Sequence, residues 1–261
     1  MSDASIATVF VSSAVAPLNA EPKASSEQVS QAVAGHIAVI LEVRDGWRRV
    51  RLADGYEGWM HEGYLDLRAL GADEISEWRA SARYSLGCTV LDEETELERA
   101  LPLGARVATS SKIVAGAALD ESEIRRRCPP VGTEICASAV RWFWGTSYQW
   151  GGITPWGADC SGMVQTLFGL HCGALPRDAR QQAQLGTALE LSPSAWRAGD
   201  LLFFSDRADG RITHVAIAAP DRTLMHVAIG RGGFAIERLD ATTDPYTTAL
   251  MGRLRNARRL L

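Results

Sequence analysis

The sequence predicts an α+β protein in which small all-β units precede a mixed domain of helices and strands. Three observations predict it. Residues 1–68 carry short β-rich runs punctuated by Asp-Gly turn signals. Residues 132–261 open with two helical patterns, Glu134–Trp144 and Ser161–Leu170, each with apolar residues along one side. The same segment ends in three strand-like runs, Gly199–Phe204, Ile212–Ala218 and Leu224–Ile229, which suggest an antiparallel sheet packed on the second helix.

The first unit, residues 1–68, has β-rich runs at Ala7–Val11, Ile37–Val43, Trp47–Leu52 and Gly58–Met60. Asp45-Gly46 and Asp54-Gly55 mark turns between them. Ser25–Ala34 reads as a loop followed by a short strand. The apolar stretch Ile6–Val15 has no Lys or Arg before it, carries Asp3 ahead of it, and meets its first basic residue only at Lys23. A first β-strand therefore fits it better than a signal peptide. Residues 69–131 hold a short helical pattern at Ser76–Ala82 and strand-like runs at Cys88–Leu91 and Ala105–Thr109. Leu101-Pro102-Leu103-Gly104 lies between those two runs. This middle segment is either a second, degenerate copy of the first unit or a structured linker, and Pro129-Pro130 marks its end.

Composition narrows the functional classes. Apolar residues make up 46% and charged residues 22%, the balance of an ordinary globular chain. A net charge of −4 gives no electrostatic reason to expect nucleic acid or an anionic membrane as a partner. Arg253, Arg255, Arg258 and Arg259 are interleaved with Leu and Asn and read as a solvated terminal strand or tail. No run of about 18 apolar residues occurs, so no membrane span is expected. The five cysteines, Cys88, Cys128, Cys136, Cys160 and Cys172, are odd in number and irregularly spaced. That argues for a reducing compartment, and a cytoplasmic location is expected.

The chemistry centres on Cys160. Asp159 and Ser161 favour a helix start there, and unpaired N–H groups at a helix N-terminus stabilise thiolate. Such placement lowers a thiol from about 8.5 into a range of roughly 3.5–7.5. Cys88, Cys128, Cys136 and Cys172 read as small buried hydrophobes. Among the five histidines, His214 and His226 lie in strand-like runs on either side of the turn signal Pro220-Asp221-Arg222. A hairpin centred near Pro220 would set the two directly opposite, Cβ atoms about 4.5–5.5 Å apart. One imidazole can then orient the other, giving nucleophile, base and orienting group. Cys160, His171, Cys172, His214 and His226 are all possible zinc ligands. His171 and Cys172 are adjacent instead of spaced for chelation, so neither metal nor cofactor is expected. Trp142, Trp144, Trp150 and Trp156 read as helix core and pocket wall, with Trp150 expected at the substrate. Gly230-Arg231-Gly232-Gly233 lacks the spacing of a phosphate-binding loop.

Six strings carry a family resemblance, in order along residues 132–261: Tyr148-Gln149-Trp150-Gly151-Gly152; Asp159-Cys160-Ser161-Gly162; Leu175-Pro176-Arg177; Gly199–Phe204; Ile212–Ile217; and Met225-His226. Together they resemble the NlpC/P60 family of papain-like cysteine peptidases. Asp45-Gly46-Trp47 and Asp54-Gly55-Tyr56-Glu57-Gly58-Trp59 resemble a bacterial SH3-like domain. The resemblance implies a papain-like NlpC/P60 catalytic domain preceded by one or more SH3-like barrels. It implies the triad Cys160, His214 and His226, with Tyr148 beside the thiol. It further implies hydrolysis of the γ-D-glutamyl–diamino acid bond in a murein tripeptide or tetrapeptide with a free N-terminal L-Ala. Asp178 is then expected to anchor the amine, and Asp159 and Ser161 to bind the peptide. The SH3-like unit is expected to close one end of the cleft and to add an acidic residue and a tyrosine. Glu57 and Tyr84 are the first choices, with Glu62 and Tyr64 as rivals. An exported hydrolase of intact wall and a non-catalytic peptide-binding module are the alternative readings. The oligomeric state is left open.

Overall fold

Seven strands build the first sheet: β1 (Thr8–Val11), β2 (Val15–Asn19), β3 (Gln28–Val33), β4 (Ile37–Arg44), β5 (Trp47–Arg51), β6 (Glu57–His61) and β7 (Leu65–Asp66). They are antiparallel in the order β3-β2-β6-β5-β4-β1-β7. The computed structural model describes residues 7–92, 95–240 and 243–261. Asp3 and Ile6, which enter the reading of the N-terminus, lie outside the described residues. The chain divides into two units, Met1–Arg127 and Cys128–Leu261.

Alternation explains the first sheet. Val9, Val11, Ala16, Leu18, Ala38, Val50 and Met60 point into one small core. Asp45 and Gly46, at φ 45° and 79°, join β4 to β5 with Arg44 facing Trp47. Positive φ at both central residues matches the twist of the flanking strands. Strand β2 is absent from the sequence reading because Pro17 interrupts it. Its tolerance is explained by the pairing: β2 runs along β3 but meets β6 only at Asn19 and Trp59.

The rest of the first unit is helix α1 (Ala72–Ser81), strands β8 (Arg83–Asp92), β9 (Leu97–Val107) and β10 (Lys112–Leu119), and helix α2 (Glu121–Arg127). The three strands form one sheet in the order β10-β8-β9. Here the structure corrects the sequence. Leu101-Pro102-Leu103-Gly104 is not a break but the middle of β9, where Leu101, Pro102, Leu103, Ala105 and Val107 are buried. Gly104, at φ 89°, sits where the register with β8 slips between Tyr84/Arg106 and Leu86/Leu103. That is a β-bulge, and its extra residue disguised the strand. Two similar slips in β10 hid that strand altogether.

The second unit contains α3 (Gly132–Phe143), a short hairpin β11 (Ile153–Thr154) and β12 (Gly157–Ala158), α4 (Cys160–His171), α5 (Ala179–Gln182), β13 (Thr187–Ala188), β14 (Leu201–Phe204), β15 (His214–Ala219), β16 (Thr223–Ala228), β17 (Gly233–Arg238), α6 (Pro245–Gly252) and β18 (Leu254–Arg259). The main sheet runs β13-β18-β14-β15-β16-β17. Helix α3 buries Ile135, Cys136, Ala139 and Phe143 at helical spacing, and α4 is apolar nearly all round. Helix α4 packs against α3, β15 and β16. The basic C-terminal run is a strand inside the sheet, paired on both sides, where Arg259 grips Asp200 at 2.8 and 2.6 Å. No described helix is long and apolar enough to cross a membrane.

Candidate active site

Cys160 is the first residue of α4, and Asp159 caps that helix by accepting from the Gly162 N–H at 2.8 Å. Asp159 also accepts from the Gly151 N–H at 2.9 Å and the Ser161 hydroxyl at 3.2 Å. Beneath it lies Arg177, 2% exposed, which binds both carboxylate oxygens at 3.0 and 2.6 Å and the Ser161 oxygen at 2.8 Å. A buried carboxylate is tolerable because a guanidinium fork and three further donors satisfy it. The nucleophile's loop is thus braced from both sides.

The thiol itself departs from the sequence expectation. Burial, and then the adjacent Asp159 charge, push Cys160 up to about 12. Backbone N–H groups of Val215 and Ser161 and the Arg177 charge oppose this but do not win. The helix start is real, yet desolvation outweighs it. Val215 follows His214 directly, so the sulfur lies against the very strand that carries the proposed base.

His214 and His226 meet through Nε2 and Nδ1 at 2.9 Å. They are not directly opposite. The register pairs Ile217 with Met225 and Ala219 with Thr223, which sets Ala216 across from His226 and His214 two residues further along. The hairpin turns one residue later than the sequence suggested: Thr223 N–H closes on the Pro220 carbonyl at 3.2 Å, with Asp221 and Arg222 at φ 56° and 53°. A diagonal pair on one face still lies within the reach of imidazole rings. Burial, and then the neighbouring His226, push His214 down to about 3.

On the far side of His226, Nε2 lies 3.3 Å from Oε1 of Glu237 on β17. Glu237 and Arg177 are the two buried site residues the sequence reading missed. The motif Leu175-Pro176-Arg177 and the alternation of β17 were the available signals, but neither says what the side chain touches.

The remaining expected residues divide cleanly. Tyr148 pairs with Ala158 just before Asp159, and burial, Cys160 and Asp159 all raise its hydroxyl above the ordinary phenol range. Asp178 follows Arg177 at the start of α5 and stands 4.0 Å from Arg180. Trp150 is 57% exposed in the loop whose Gly151 binds Asp159. Trp144 and Trp156, read as core or pocket wall, are instead 70% and 55% exposed, Trp144 at the C-terminal end of α3 and Trp156 in the turn between β11 and β12. Cys172 is exposed just past the end of α4. His171 ties α4 to its neighbours through Pro129 and Ser138, each at 2.8 Å. In the first unit, Glu57 binds Arg49 and Arg51, each at 2.7 Å, and Tyr84 lies 3.6 Å beneath the Arg106 guanidinium.

With this geometry described, comparison with known proteins gives consistent results. Residues 145–253 match the NlpC/P60 family, and residues 18–65 match the bacterial dipeptidyl-peptidase Sh3 domain. A γ-D-glutamyl-L-lysine dipeptidyl-peptidase of Bacillus cereus is 24% identical over 255 residues, covering 87% of this chain and 74% of that protein. A murein DD-endopeptidase/murein LD-carboxypeptidase of Escherichia coli is 33% identical over 146 residues, 56% of this chain and 71% of that one. The crystal structure of an NlpC/P60 family protein from Bacillus cereus superposes with a TM-score of 0.78 at 18% identity, covering 97% of this chain and 99% of that one.

Proposed function

Because this chain belongs to the NlpC/P60 family and is a cysteine peptidase of the peptidoglycan-hydrolase kind, we propose that it cleaves the γ-D-glutamyl–diamino acid bond of murein peptides bearing a free N-terminal L-Ala. The observation that carries the reading is the pair of imidazoles, His214 on β15 and His226 on β16, 2.9 Å apart, with Val215 of β15 against the thiol at the head of α4.

In the proposed reaction His214 takes the Cys160 proton as sulfur attacks the carbonyl. The resulting imidazolium gives that proton to the leaving amine, and water releases the thioester. The Cys160 N–H and the Tyr148 hydroxyl are proposed to receive the oxyanion. His226 orients His214. Support for the substrate comes from the dipeptidyl-peptidase named above and from the match of residues 18–65 to the dipeptidyl-peptidase Sh3 domain. Asp178 is proposed to anchor the peptide's amine, and Asp159 and Ser161 to bind the peptide. The pathway proposed is recycling of free wall peptides in the cytoplasm.

Incubating L-Ala-γ-D-Glu-meso-diaminopimelate, free and N-acetylated, with the parent chain and with Cys160→Ala tests this by mass spectrometry of the products. The expected result is L-Ala-γ-D-Glu released only from the free peptide and only by the parent. Hydrolysis by Cys160→Ala overturns the nucleophile, and equal cleavage of the acetylated peptide overturns the amine anchor.

A further inference from the structure

Glu237 is a carboxylate in the protein interior, its side chain 4% exposed. Such a charge is costly unless it is paired and hydrogen-bonded. Arg231 supplies a fork, Nε to Oε1 and Nη2 to Oε2, both at 2.8 Å. The Thr247 hydroxyl donates to Oε2 at 2.6 Å. The third partner is His226, Nε2 to Oε1, at 3.3 Å. Burial pushes the carboxyl up, but the bonds from His226, Arg231 and Thr247 outweigh it and hold Glu237 below the usual carboxylate range. The other groups facing His226 are His214 and the Tyr246 ring, 6.1 Å away centre to centre. Arg231 also pairs with Asp244 and covers the Tyr246 ring.

An ionised carboxylate only accepts hydrogen bonds. The His226 nitrogen that faces it, Nε2, must therefore carry hydrogen. In neutral imidazole the other nitrogen is then an acceptor, so His226 Nδ1 accepts from His214 Nε2–H. His214 is left with its lone pair on Nδ1. The three side chains form a diagonal across neighbouring strands: Ala235 faces His226, and Glu237 is displaced by two residues on the same face.

We infer that Glu237 is a positioning residue for the peptidase reaction: through His226 it selects the His214 tautomer whose Nδ1 acts as the base. The inference rests on the reading of His214 as that base. A purely structural role, tying Arg231 and α6 to β17, is the competing account. In that account any loss of the Glu237 cluster disturbs the site equally.

The test is nitrogen NMR of the ¹⁵N-histidine-labelled full chain together with steady-state kinetics, on the parent, Glu237→Gln and Thr247→Val. In the parent, both His214 and His226 are expected as Nε2–H tautomers. Glu237→Gln is expected to mix Nδ1–H forms into both and to lower kcat about ten- to a hundredfold with KM little changed; the ceiling is the roughly 10⁴-fold loss seen when a triad histidine takes the wrong tautomer. Thr247→Val is expected to keep the parental tautomers although it removes a prop of the same carboxylate. The inference is overturned if Glu237→Gln keeps both tautomers and the parental kcat, or if Thr247→Val scrambles them equally. Should Glu237→Gln fail to fold, the parent spectrum still decides, since Nδ1–H on His226 overturns the inference. Hydrolysis by Cys160→Ala would sink the assignment of Cys160 as nucleophile separately and leave the tautomer result standing.

Discussion

At Cys160 two opposing effects act on one sulfur. The helix start and the Val215 and Ser161 N–H groups favour thiolate; burial and the Asp159 carboxylate oppose it and prevail, at about 12. His214, half-buried beside a second imidazole, is held down to about 3. On these directions the pair is expected to rest as thiol and neutral imidazole, the proton moving as the sulfur attacks in the proposed reaction. The sign for pH follows. A free imidazole gains its proton below about 6.5. His214 stays unprotonated well below that, so lowering the pH through 6.5 leaves the base intact. The profile of kcat/KM is expected to be flat there, with its acid limb far lower. An acid limb at or above 6.5 would show an imidazole that is not desolvated. At this scale the sequence was legible for candidate residues in contiguous strings: Asp159, Cys160, Ser161, Tyr148, His214 and His226 are all proposed from their neighbours. Arg177 and Glu237 were not, because each acts on a partner 18 and 11 residues away across the fold.

At the scale of elements, tight backbone approaches hold the site. A Cβ at Gly162 would stand 2.0 Å from the Gly152 carbonyl oxygen and 3.2 Å from the Asp159 carboxylate. Gly162→Ala is therefore expected to push the Gly151-Gly152 turn off α4 and to loosen the cap that aims Cys160. Overpacking of this kind costs about 1–3 kcal/mol. Chemical denaturation checks the loss, and hydrolysis of the tripeptide is expected to fall with it. Unchanged stability would mean that the loop moves freely. The hairpin of β15 and β16 teaches a related lesson. Its existence was readable from two strand-like runs about a turn, but its register was not. A turn centred on Asp221 instead of Pro220 converts a directly opposed histidine pair into a diagonal one, and that diagonal lets Glu237 continue the line on β17. Bulges in β9 and β10 likewise broke the period-two pattern on which strand reading depends.

For the whole molecule, the proposed specificity is a statement about substrate ends. In intact wall the L-Ala amine is an amide, uncharged and bulky, whereas in a free murein peptide it is an ammonium that needs a carboxylate partner. The full chain is accordingly expected to release L-Ala-γ-D-Glu from soluble tripeptide or tetrapeptide and to leave purified sacculi undigested, read by mass spectrometry of the soluble fraction. Comparable release from sacculi would favour the exported hydrolase and remove the recycling role. By itself the sequence determined the α+β class and the order of an all-β unit before a peptidase domain, and it proposed Cys160, His214 and His226 as the triad, because local periodicity and short strings encode these. Only the tertiary structure decided the strand register, the burial of the thiol, and the contacts of Arg177 and Glu237. Each of those depends on desolvation and on contacts between residues far apart in the chain, which no local pattern records.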